Sequence, residues 1–234
     1  MDAPTEAIVL AGGLGTRLRP VVADVPKPLA PIAGRPFLFW LLDGLARQGI
    51  THVLLATGYM SGSIADAVGR THAGMRISHL PEPSPLGTGG AVWAALGACC
   101  TKRVLVANGD SWIGARVAGL AAHAPGADLV LTLRPVADRA RYGSVRLDAD
   151  RVVGLDEKGQ SGPGLVNAGL YLMRADLPAR RAMPASFSLE TEILAHPGTL
   201  DLRGWQTDAP FIDIGTPEDF AAAQELLPRW AAEP

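Results

Sequence analysis

Lysine is nearly missing from this chain: of 21 basic side chains only Lys27, Lys102 and Lys158 carry an ammonium, and the other 18 are arginines. A compact ammonium and a planar guanidinium are not interchangeable at a phosphate, so a lysine kept in such a background invites a functional reading, with chance placement as the plain one. Cysteine is also scarce. Cys99 and Cys100 are adjacent, cannot close an ordinary long-loop disulfide, and are expected as small residues buried in a helix in a reducing cytoplasm. The five histidines show no metal-type spacing and no Gly-x-Ser-x-Gly elbow occurs, which argues against zinc and serine-hydrolase chemistry. No long apolar run is present: Phe37 to Leu42 stops at Asp43, far short of a membrane span. The start, with Asp2 and Glu6 around few apolar residues, does not read as a secretory signal. A net charge of −2 with scattered basic residues predicts neither a nucleic-acid nor a membrane partner, and points to small substrates.

What is abundant is glycine, 27 residues, and its first cluster is the most informative. Ile8, Val9 and Leu10 form a continuous apolar run suited to a strand buried on both faces. Gly12, Gly13 and Gly15 follow at once, then Arg17, and then Lys27 between Pro26 and Pro28. Such glycines bring backbone N–H groups close to a ligand, and the cations beside them suit a polyphosphate. A dinucleotide fingerprint read from Gly13 would need glycine where Leu18 stands, and a P-loop would need a Gly-Lys pair that is absent. Taken alone, the loop is also an ordinary turn.

Strands are predicted near Ala7–Ala11, Val53–Thr57, Met75–Leu80 and Val104–Ala107, alternating with helices near Pro36–Gln48, Ser61–Val68, Thr88–Ala98 and Arg116–Ala124. The alternation predicts an α/β protein, a Rossmann-like three-layer α/β/α arrangement on a mainly parallel mixed sheet, with ligands at the carboxyl ends of the strands. After Asp128, strand-like pieces at Leu129–Arg134, Ser144–Leu147, Val152–Leu155 and Val166–Leu172 extend the sheet and form a small lobe. Helices around Leu189–Leu194 and from Pro217 to Leu227 close the chain. One domain is expected, about residues 1–127 binding nucleotide and about 128–234 binding sugar phosphate.

The string Gly12-Gly13-Leu14-Gly15-Thr16-Arg17-Leu18-Arg19-Pro20, followed by Lys27-Pro28, resembles the signature of the sugar-phosphate nucleotidylyltransferases. The likeness runs from about Ala7 to about Phe220 with its motifs in order. It implies the nucleotide-diphospho-sugar transferase fold, and a reaction in which a sugar 1-phosphate attacks the α-phosphorus of a nucleoside triphosphate and pyrophosphate leaves. Arg17 and Lys27 would then neutralise the reacting phosphates. Leu10, Ala11, Gly12, Gly13, Gly15, Thr16, Asn108 and Gly109 would bind the nucleotide. So would Gly87, Thr88 and Gly89, with Glu82 within reach of the base; alone, that segment is a glycine-rich strand-to-helix turn. Asp110 and Asp213 would hold Mg2+, although a single strand-end aspartate is more often a cap or turn residue.

The resemblance extends to the sugar side. Tyr142-Gly143, Glu157-Lys158 and Asn167-Ala168-Gly169 match the family's sugar-phosphate segments, and Glu190 of Ser188-Leu189-Glu190 adds another, with an exposed helix N-terminus as the simpler account of that glutamate. Arg35-Pro36-Phe37-Leu38, residues 85–91 and Phe211–Asp219 look like the subgroup making GDP-activated D-glycero-α-D-manno-heptose for capsule, lipopolysaccharide and related surface polysaccharides. The partners implied are GTP and that heptose 1-phosphate, in a monomer or homodimer. A uridylyltransferase for N-acetylmuramate or glucose 1-phosphate is the alternative. A nucleotide-sugar-sensing regulator of the same fold is the non-enzymatic one, disfavoured because Arg17, Lys27, Asp110, Lys158 and Asp213 are all present.

Overall fold

The computed structural model describes residues 3–13, 15, 17–18, 21–22, 25–156 and 159–232. Thr16, Glu157 and Lys158 therefore lie outside the described residues. The strands are β1 (Glu6–Leu10), β2 (Pro31–Ile32), β3 (Arg35–Pro36), β4 (His52–Thr57), β5 (Thr71–His72), β6 (Met75–Pro81), β7 (Arg103–Asn108), β8 (Ser111–Ile113), β9 (Leu129–Val136), β10 (Val145–Asp148), β11 (Arg151–Leu155), β12 (Gly164–Arg174), β13 (Leu202–Gln206) and β14 (Phe211–Asp213). The α-helices are α1 (Phe37–Arg47), α2 (Ser61–Val68), α3 (Gly87–Leu96), α4 (Val117–His123), α5 (Leu177–Arg180) and α6 (Pro217–Ala232).

Among the described residues ten strands form one mixed sheet in the order β10-β11-β13-β9-β12-β7-β1-β4-β6-β5. The block β6-β4-β1-β7 is parallel, and β12 then runs antiparallel to both β7 and β9. Alternation along β1 explains the three layers. Ala7 and Val9 enter the core shared with Leu42 and Leu45 of α1, Ile64 of α2 and Leu120 of α4, whereas Ile8 enters the opposite core with Val92 and Leu96 of α3. A third cluster packs Leu18, Ile32, Phe37, Trp112 and Ile214 beneath Ala223 and Leu227 of α6.

The short elements β2, β3, β5, β8, β14 and α5 were not expected, and three further differences have a local cause. Strand β13 was not expected because Arg203 and Gly204 interrupt a short apolar run; at Gly204 a Cβ would lie 2.5 Å from Leu133 Cδ1, so the Leu133 side chain packs directly over it. The last helix does not end before Pro228 but continues to Ala232, where Trp230 stacks on Trp112 at 6.2 Å. The cysteines are not buried in a helix. Both follow α3 in the chain, Cys99 half-buried and Cys100 exposed. Burial, then the Glu6 and Cys100 charges, push the Cys99 thiol up to about 12. No helix among the described residues is long and apolar enough to cross a membrane.

Candidate active site

Because β1, β4, β6 and β7 run parallel, their carboxyl ends converge on one edge, and a cavity of about 580 Å³ opens there. Each strand supplies a wall: Leu10 to Gly13 after β1, Gly58 and Tyr59 after β4, Glu82 to Pro85 after β6, and Asn108 to Asp110 after β7. Gly87, Thr88 and Ala91 of α3 and Lys27 complete the lining. Close backbone approach explains the glycines. The Gly109 amide donates to Leu10 O at 2.8 Å, and a Cβ on Gly109 would meet that oxygen at 2.6 Å. Gly15, at φ +58°, lies against the Lys27 stem, where a Cβ would fall 2.9 Å from Lys27 Cβ.

The charged centre is built by a two-stranded ribbon. Pairing of β8 with β14 sets Asp213 opposite Ser111, and the Ile214 amide donates to Asp110 O at 3.0 Å, which brings two carboxylates distant in sequence together. Lys27 lies between them, with Nζ 2.6 Å from Asp110 Oδ2 and 3.6 Å from Asp213 Oδ1. Burial pushes the Asp213 carboxyl above the usual carboxylate range, Asp110 adds to the shift, and the Lys27 ammonium opposes it. Asp213 Oδ1 is buried and has no hydrogen-bond partner.

This donor set fits a hard divalent cation. A buried carboxylate oxygen that no hydrogen bond reaches, 3.6 Å from the Lys27 ammonium and beside a second carboxylate, leaves negative charge that one ammonium does not fully meet, and Mg2+ takes one or two carboxylates with substrate phosphates and waters. Among the described residues no cluster of three His, Cys, Asp or Glu side chains could hold a metal unaided.

The other expected site residues fall into distinct places. Glu82 lines the cavity, with Oε2 accepting from the Leu86 amide at 2.9 Å and Oε1 against Gly12. Arg17 is exposed and is not among the cavity-lining residues. Gly89 does not face the cavity as expected: its amide donates to Phe187 O at 3.0 Å, and a Cβ on it would lie 2.1 Å from the Phe187 ring. It serves helix seating. Glu190 is half-buried rather than an exposed helix-end glutamate, accepting from Thr88 Oγ1 at 2.6 Å and Ser188 Oγ at 3.0 Å.

On the far side, Asn167 and Gly169 form a bulge in β12, where the register to β9 shifts. Gly169, at φ +71°, packs on the Asn108 carboxamide, and its amide donates to Asn167 Oδ1 at 3.0 Å. Tyr142 lies 6.4 Å from the Phe211 ring, on the strand that carries Asp213, and Gly143 approaches Asp156 O. Arg141 holds this loop to the start of α6, donating to Asp219 and to Thr216 Oγ1.

Two residues were missed by sequence reasoning. Tyr59 lines the cavity and is 42% exposed, with the Gly58-Tyr59 pair after an apolar strand as its signal. Tyr171 is fully buried and its hydroxyl accepts from Asn167 Nδ2 at 2.6 Å; an apolar strand such as Leu170–Met173 hides it as an ordinary core aromatic.

Comparisons agree with this geometry. The model of the family described as nucleotidyl transferase matches residues 6–229. The chain is 37% identical over 225 residues to D-glycero-alpha-D-manno-heptose 1-phosphate guanylyltransferase of Aneurinibacillus thermoaerophilus, covering 95% of this chain and 98% of that protein. It is also 37% identical over 216 residues to the protein of that name from Campylobacter jejuni, covering 92% and 96%. Among solved structures, HddC from Yersinia pseudotuberculosis complexed with GMP-PN superposes with a TM-score of 0.86 at 34% identity, over 94% of this chain and 98% of that one. A glycine-lined cavity at the ends of four parallel strands, a lysine joined to two aspartates, and a family match over nearly the whole chain lead to one conclusion: the chain belongs to the nucleotidyl transferase family of enzymes.

Proposed function

We propose that the protein transfers a guanylyl group from GTP to D-glycero-α-D-manno-heptose 1-phosphate, with Mg2+, giving the GDP-sugar and pyrophosphate. The observation that carries the transfer chemistry is the Lys27–Asp110–Asp213 cluster, of which Lys27 and Asp110 line the cavity. The choice of base and sugar is supported by the printed names of the two relatives and by the nucleotide analogue in the HddC structure.

An anionic sugar-phosphate oxygen must approach an already anionic α-phosphate, so the protein has to disperse charge and hold the reactants in line, without a covalent nucleophile of its own. The backbone of Leu10 to Gly13 approaches the nucleotide, and Lys27, already positioned by Asp110, presents its ammonium to the reacting phosphates. Arg17 adds a second cation from the same loop. Asn108 and Gly109 line the cavity edge beside the nucleotide. Asp110 and Asp213 would hold the divalent cation, which when bound would withdraw charge from the phosphates. Glu82, fixed by Leu86, turns a carboxylate toward the base, where it suits the donor edge of guanine. Asn167, Gly169, Tyr142 and Gly143 form the sugar side, together with Glu157 and Lys158.

The test is pyrophosphate release with Mg2+, crossing the four nucleoside triphosphates with heptose, mannose, glucose and N-acetylmuramate 1-phosphates. Release with GTP and the heptose phosphate is expected. Release only with UTP and another sugar would overturn the substrate assignment, and no release with any pair would overturn the activity.

A further inference from the structure

Tyr171 is a polar side chain in a place where apolar packing would be simpler. It is 0% exposed, in the core formed with Ile8, Val92, Val106 and Leu131, yet its hydroxyl accepts from Asn167 Nδ2 at 2.6 Å, and Asn167 in turn holds the Gly169 amide, which packs on the Asn108 side chain. Burial, with Glu190 and Asp110 nearby, pushes the phenol well above its usual range, so it acts as a neutral hydrogen-bonding group and not as a base. The two carboxamides linked in this way belong to different halves of the site. Asn108 ends β7 on the cavity edge beside Gly109 and Asp110, and Asn167 opens the β12 bulge that carries Gly169.

Between Asn167 and Tyr171 the regular β12–β9 register is interrupted, and the Asn167 side chain spans the turn, its Oδ1 accepting from the Gly169 amide while its Nδ2 donates to Tyr171. Moving Tyr171 Oη therefore frees Asn167 to rotate, and with it Gly169, which packs on Asn108 at a distance where a Cβ would fall 2.8 Å from Nδ2. We propose that the Tyr171 hydroxyl is a positioning group that fixes the nucleotide half of the site (Asn108) against the sugar half (Asn167), so that the two bound substrates meet in line. This rests on the reading of the cavity as a nucleotidyl-transfer site.

An alignment role makes a particular kinetic signature. Each substrate still finds its own half of the site, but misplacing the halves by a fraction of an ångström lowers the rate of the chemical step. The Y171F enzyme is expected to keep both KM values within about twofold while kcat falls about tenfold. In an N167A background the same change should add less than about twofold, because the two residues act through one contact. A wild type with measurable release and a Y171F kcat equal to it would overturn the inference while leaving the activity intact. So would a Y171F effect confined to the melting temperature, or one as large in N167A as in the wild-type background.

Discussion

Glu6 keeps its charge in a nearly closed place at the start of β1. Burial pushes its carboxyl up, but hydrogen bonds from His52, from the Thr101 amide and hydroxyl, and from the Cys100 amide outweigh that and bring it from 4.5 down to about 2. A carboxyl whose folded pKa is depressed stabilises the fold fully above its unfolded pKa and loses that contribution as pH falls through the folded one. The stability difference between wild type and Glu6→Gln, measured by urea unfolding, should be constant above pH 4.5 and shrink toward pH 2. A difference independent of pH across that window would show that the hydrogen bonds, and not the charge, matter. At Asp213 the balance runs the other way: burial beside Asp110 raises the carboxyl, so its charge opposes folding at neutral pH.

Helix α3 shows what its glycines do at the scale of an element. Gly87, at φ +70°, and Gly90 would place a Cβ 2.5 Å from Phe187 O and 2.3 Å from Ala185 O, and Gly89 would drive one into the Phe187 ring. The glycine-rich stretch is thus shaped by the Ala185–Leu189 segment as well as by the cavity, and that segment in turn presents Glu190 to Thr88. Gly89→Ala is expected to lower stability by about 1–3 kcal/mol through overpacking, read as a lower urea midpoint. It should also weaken nucleotide binding, because the α3 start lines the cavity. An unchanged midpoint would mean that Phe187 swings aside freely. This partnership was invisible in sequence, since Phe187 and Gly89 meet only through tertiary packing, whereas the α3 helix itself was expected from the alternation of strands and helices in the first half of the chain.

Across the whole molecule, what could be read was what depends on local periodicity and on fixed motif order. The parallel strands β1, β4, β6 and β7 and the four helices between and after them were placed by patterns within a few residues, while Asp110 and Asp213 were singled out by the resemblance of their segments to the family's motifs. What could not be read depends on distant pairing. Strand β13 packs Gly204 directly under Leu133, α6 outruns Pro228 because Trp230 reaches Trp112, and Tyr171 hides among apolar neighbours. The ribbon of β8 with β14 is the most consequential of these pairings, since it alone brings Asp213 to Lys27 and Asp110. The claim that this junction is the transfer centre is tested most directly by the single-turnover rate of pyrophosphate release in Asp110→Asn and Asp213→Asn proteins, with saturating nucleotide, sugar phosphate and Mg2+. Both variants should stay folded and lose about 10²–10³ in rate, the loss typical when one charge-stabilising group is removed. Rates within about threefold of wild type in folded protein would contradict the account, because effects that small fall far below what a group at the reacting phosphates supplies.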